Sequence, residues 1–152
     1  MDANQQAELQ ALAGRSLTSA EITLAGNRDD AGLAASLSFG LTQVVSKRIG
    51  AGSVLDALGA VSGAAFLDAM DSLSSTVSAI KWGLSLLNSG NFDVGSATSI
   101  GIVNTLVSGG TLGAVTIPAN TISQATATAL LNLAVVPLTI SVDQVSNILN
   151  GA

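Results

Sequence analysis

Along the stretch Gly50 to Leu73, GAGSVLDALGAVSGAAFLDAMDSL, apolar positions recur at helical spacing. At 100° per residue, Phe66, Leu67, Met70 and Leu73 fall within about 120° of one another, while Asp68, Asp71 and Ser72 lie opposite. This pattern predicts a central helix over about 62–74 with one face in a core and the other in water. Upstream of it, Gly50 and Gly52 read as a hinge, and Ser53 is placed to cap a short turn, VLDALG. Gly59 and Gly63 are four apart and share a face if the helix is continuous there. That close-approach spacing in water most often means core packing.

The same reading extends to both ends of the chain. Residues 5–13 predict an amphipathic helix with Leu9 and Leu12 on one side, ended at Gly14 and loosely docked as residues 1–14. Thr18 and Glu21 have the spacing of a capping box for a helix of about 18–27, stopped at Gly26-Asn27. Asp29 or Asp30 caps a further helix, AGLAASLS, ending at Phe39-Gly40. The β-branched segment Leu41 to Ile49 predicts an extended stretch. A helix over 76–88 carries Val77, Ile80, Leu84 and Leu87 inward and ends at Gly90. Ser96 caps ATSIGIVNTLVS, which is apolar around most of its circumference and is expected to be buried, with Gly109-Gly110 closing it. TLGAVTI reads as an extended link, and Pro118 as the start of a helix to about Ala134, with Ile122, Ala129 and Leu133 in line. Val136-Pro137 breaks that helix. Ser141 and Gln144 form a second capping box, opening a last helix with Val142, Val145 and Leu149 inward and Gly151 as its stop. No strict repeat and no sustained heptad interrupts this reading. The expected fold is mainly α: a compact bundle of short helices with one or two short extended segments, about 41–49 and 111–117, in a single helical domain of residues 1–152.

Composition changes that picture at the surface. Charged residues make up 10% of the 152, against roughly 25% in an ordinary soluble domain. Ser, Thr, Asn, Gln and Gly, or another protein, must cover the rest, because large exposed apolar patches mark interfaces. The net charge of −5, with only five Lys and Arg, argues against direct contact with nucleic acid. The absence of His removes the commonest general base and transition-metal ligand, and the absence of Cys removes thiolate chemistry and disulfides. No enzyme activity and no cofactor is expected. The opening MDANQQAELQ has neither a basic nor an apolar region of a secretion signal. Mean hydropathy is +0.57, and the longest weakly polar run, Ile100 to Ile117, contains Asn104, Ser108, Gly109, Gly110 and Thr111. A spanning helix needs ~20 predominantly apolar residues, so this run reads as a buried helix followed by a turn.

Candidate sites are few. Asp68 and Asp71 are helix neighbours, as a carboxylate pair would be, yet they fall on the solvent face. They are the residues on which a divalent-metal enzyme reading would rest. Asn27 to Asp30 and Asn88 to Asp93 gather oxygen ligands near a glycine, without EF-hand spacing, and caps and turns account for both. GAGSVLDALG and SGGTLG lack the Gly-Lys-Ser/Thr of a phosphate loop and read as turns. The many serines have no base to activate them. Lys47 and Arg48 hold two of the five cations, and Lys81 adjoins the only tryptophan, Trp82. Such residues anchor protein interfaces, so Lys47, Arg48 and Trp82 are the candidate interface residues.

The phrases VVSKRIGAGSVLDALG, NFDVGSATS and VPLTISVDQVSNILNG resemble those of small helix-rich proteins encoded among the structural genes of tailed bacteriophages. The resemblance implies a virion component present in many copies, in the head, connector or tail, assembled in the host cytoplasm. Its partners would be itself and other structural proteins. The alternative is a membrane-active or ejected virion protein that inserts the apolar helices at about 97–108 and 119–135 into the host envelope.

Overall fold

The computed structural model describes residues 1–151. In chain order these form α1 (Ala3–Ala13), α2 (Ser19–Gly26), α3 (Asp30–Ser38), β1 (Thr42–Val44), β2 (Arg48–Ile49), α4 (Ala51–Ser74), α5 (Ser78–Asn88) and β3 (Phe92–Asp93). There follow α6 (Ala97–Ser108), β4 (Gly110–Leu112), β5 (Val115–Ile117), α7 (Gln124–Leu131), a 3-10 turn (Asn132–Ala134), β6 (Val135–Pro137) and α8 (Val142–Asn150). The fold is mainly α, with short strands in three two-stranded pieces. It divides into two compact units, residues 1–43 with 136–151, and residues 44–135.

In the first unit, capping chemistry sets nearly every helix end. Asp2 and Gln5 form a capping box that starts α1 earlier than the apolar pattern alone predicts, and Gly14 closes it with φ +65°. Thr18 and Glu21 form the expected box on α2, Asp29 accepts the Gly32 amide at the start of α3, and Ser141 and Gln144 box α8. Leu9, Ala13, Ala25, Leu33, Ala34, Leu37, Ile140 and Val145 make the core. Leu9 has no exposed surface, and the Gln5 side-chain amide donates to the Leu149 carbonyl at 2.9 Å, occupying an otherwise orphan acceptor at the end of α8. Val142, expected inward, is 46% exposed; Val145 alone of α8 is fully buried, with Ile148 and Leu149 partly so.

The second unit is organised around α4. The chain does not begin this helix at a Ser53 cap: Gly50 occupies the cap position, and Ser53 lies inside the helix. At Gly59 the backbone takes φ 78°, ψ 161°, a conformation essentially reserved for glycine, and the helix bends there. The second arm folds back on the first. A Cβ on Gly63 would sit 3.0 Å from the Cα of Leu55, so Gly63 is where the two arms touch. Gly59 and Gly63 therefore act as a hinge and a contact point, not as two positions on one continuous face. The longer arm buries Phe66 and Met70, with Met70 against α5 at Gly83, and Val77, Ile80 and Leu87 join the same core.

The extended segments carry more structure than a single link. β2 pairs with β3 in antiparallel register, Ile49 opposite Phe92. TLGAVTI is a hairpin in which Leu112 faces Val115 across Gly113-Ala114. Gly113 has φ +65° while Ala114 does not have positive φ, which is the pattern of a type II′ turn. Pro118 does not open a helix. Residues 118–122 turn back along α6, with the Asn120 and Ile122 amides donating to the Val107 and Leu106 carbonyls at 2.7 and 3.1 Å. These bonds satisfy the last carbonyls of α6, and α7 starts only at the Ser123 cap. Nor is α6 buried all round: Ser99, Ile102, Val103 and Leu106 face inward, while Ala97, Thr98, Gly101, Asn104 and Ser108 are exposed.

Candidate functional site

The polar centre of the first unit is Glu21, a carboxylate with no exposed surface. The Arg15 guanidinium grips it with two bonds of 2.9 and 2.7 Å, the Thr18 amide and hydroxyl donate at 2.7 and 2.9 Å, and the Ser36 hydroxyl donates at 2.9 Å. The Arg15 pair, aided by the Thr18 and Ser36 donors, holds this carboxyl far below the usual range against the opposing effect of burial. Every acceptor position is filled, so the cluster joins α2 and α3 to the turn after α1 and leaves no lone pair for a ligand. The Thr18–Glu21 spacing is local and visible in sequence. Arg15 and Ser36 reach it from six residues before and fifteen after, and no periodicity announces them.

In the second unit Asp93 has the corresponding role. Its carboxylate accepts from the Ser46 hydroxyl at 2.6 Å, the Lys47 amide at 2.8 Å and the Gly95 amide at 3.0 Å. The Ser46 bond is the largest cause of its lowered pKa, followed by the Lys47 amide. Asp29 likewise serves α3 as its cap. Both oxygen-rich segments thus spend these carboxylates on turns and caps, and among the described residues no three acidic side chains converge. Asp68 and Asp71 are exposed on the outer face of α4, as their helical phase predicts.

Lys47, just before β2, and Arg48, its first residue, are both exposed. Lys47 borders a shallow depression of about 360 Å³ shared with Ile49, Ser53, Asp56 and Leu133. Trp82 lies elsewhere, on the outer face of α5, 65% exposed, with the Lys81 ammonium 6.0 Å from its ring. Four residues on, Leu86 is 47% exposed on the same face. Between α4 and α7 runs a cleft of about 270 Å³ whose wall includes Val61, Ala65, Phe66, Asn120 and Ile122. It carries no charged side chain, and Val61 at its rim is 85% exposed. Sequence reasoning missed this cleft because α7 starts six residues later than Pro118 suggests, and the freed segment 118–122 becomes one of its walls.

One helix, α4, has the length and apolarity to cross a membrane. It is not one rod, however: the arm after Gly59 holds residues 60–74 and spans only about 22 Å at 1.5 Å per residue, against the roughly 30 Å of a bilayer core. The segments expected to insert are shorter still, since α6 has 12 residues and α7 has 8.

Compared with known protein families, with curated proteins and with solved structures, the chain matches none.

Proposed function

We propose that the protein is a non-enzymatic assembly subunit, a multi-copy component of a bacteriophage head, connector or tail. The observation that carries this reading is the set of large apolar side chains left open on a charge-poor surface: Phe39 is 86% exposed, Val61 85% and Trp82 65%. Burying a side chain of this size contributes roughly 1.5–3 kcal/mol, and with charged residues at 10% there is little around them to keep neighbouring copies apart. Copies of the chain and other structural proteins are the partners that such surfaces suit. The phage assignment is supported by the phrases VVSKRIGAGSVLDALG, NFDVGSATS and VPLTISVDQVSNILNG. The test is co-sedimentation from the producing cell. The chain is expected to band with nuclease-resistant particles and to survive a high-salt wash; recovery only from the particle-free fraction would overturn the assignment.

A further inference from the structure

Resting on that assembly reading, we infer that the outer face of α5 is the joint, and that it docks on the outer face of α4 of a second copy. On α5 the face that holds Trp82 and Leu86 is otherwise made of small exposed residues, Ser78, Ser85 and Ser89, with the Lys81 cation at its edge. The outer face of α4 offers the complementary set: exposed Val61 and Ala64, then Asp68 and Asp71. Among the described residues the one ion pair is Arg15 with Glu21, and Lys81, Asp68 and Asp71 are exposed without a salt-bridge partner among them.

The spacings match when the two helices run antiparallel. With Lys81 beside Asp68, Leu86 lies about 7.5 Å further along α5 at 1.5 Å per residue. That places it between Ala64 and Val61, at the rim of the uncharged cleft against α7. Trp82, one residue past Lys81, then lies opposite Leu67, and its side chain leans toward the N-terminal end of α5, on the side of the two carboxylates, where the indole N–H can donate. Apolar surface meets apolar surface, and one cation meets two anions. The two faces differ, so the contact is head-to-tail, and repeated contacts close into a ring or continue as a filament.

Trp82 is the sole tryptophan, so its fluorescence reports this joint directly. Emission of the full chain is followed over a concentration series alongside its mass by light scattering. The expected result is a shift to shorter wavelength that tracks the rise in mass. Lys81→Glu is expected to weaken self-association about tenfold or more, as for a coupled charge pair, and Lys81→Glu combined with Asp68→Lys to recover it. Leu86→Asn should weaken it without touching a charge, and circular dichroism confirms that each variant keeps its helices. If the wild-type chain assembles while Trp82 emission stays unchanged and these substitutions have no effect, the joint is elsewhere and the assembly reading stands. A chain that is monomeric throughout the series overturns both.

Discussion

Glu21 shows how one side chain can hold a small helical unit together. Five donor bonds converge on it from Arg15, Thr18 and Ser36, and removing the carboxylate strands an arginine and a serine. Glu21→Ala is therefore expected to lower the unfolding free energy by about 1–3 kcal/mol, the range for leaving buried hydrogen-bonding partners unpaired, as measured by urea titration. The same carboxyl sets an acid limit. Its folded pKa is depressed from the usual 4.5, so across the window below 4.5 the unfolded chain binds the extra proton and stability rises with pH. Its contribution is present in full above about pH 4.5 and is lost as pH falls toward the folded value. Thermal unfolding of Glu21→Gln followed from pH 6 to pH 3 should lack this part of the acid dependence; an unchanged profile would show that another group dominates. Of this cluster only the Thr18–Glu21 box was legible in the sequence, because capping is a contact between residues three apart. The partners that make Glu21 a buried hub arrive through tertiary packing, which leaves no local trace.

At the scale of elements, the helices with polar caps were the legible ones. Asp29, Ser96 and Ser141 each begin a helix where the sequence places the start, and Gly14 and Gly151 end theirs. The extended readings of 41–49 and 111–117 also hold: 111–117 is a hairpin of β4 and β5, and 41–49 holds β1 and β2, which belong to different sheets. The misplaced boundaries have a common physical cause. Ser53 and Pro118 are permissive at a helix start, yet backbone partners decided both places: the Asn120 and Ile122 amides bond α6, and the Val54 amide donates to the Gly50 carbonyl, so that α4 starts ahead of Ser53. Gly59→Ala should cost about 1–3 kcal/mol, since its φ of 78° excludes a Cβ without strain. Gly63→Val should cost a similar ~1–3 kcal/mol by overpacking the contact with Leu55. Gly101, helical, exposed and with open space around it, gives the opposite sign: Gly101→Ala should stabilise by roughly 0.5–1 kcal/mol. Melting temperatures that fell equally for all three would contradict the hinge-and-contact account of α4.

For the whole molecule, residues 44–135 form a compact unit whose ends meet, the Val45 amide donating to the Ala134 carbonyl at 2.9 Å. Excised as a fragment, 44–135 is expected to fold cooperatively and keep its helical circular dichroism, because its core of Phe66, Met70, Ile80, Phe92, Val103 and Leu130 lies wholly within it. A fragment with no thermal transition would contradict that. The surface bears on function more than the interior does. Trp82 and Val61 stand exposed on the outer faces of α5 and α4, and the proposed assembly reading rests on such apolar side chains left open on a charge-poor surface. The decisive measurement is the mass of the purified chain by light scattering coupled to size exclusion, without detergent, across a dilution series. A discrete oligomer that persists on dilution is the result expected of an assembly subunit; a monomer at every concentration would contradict it.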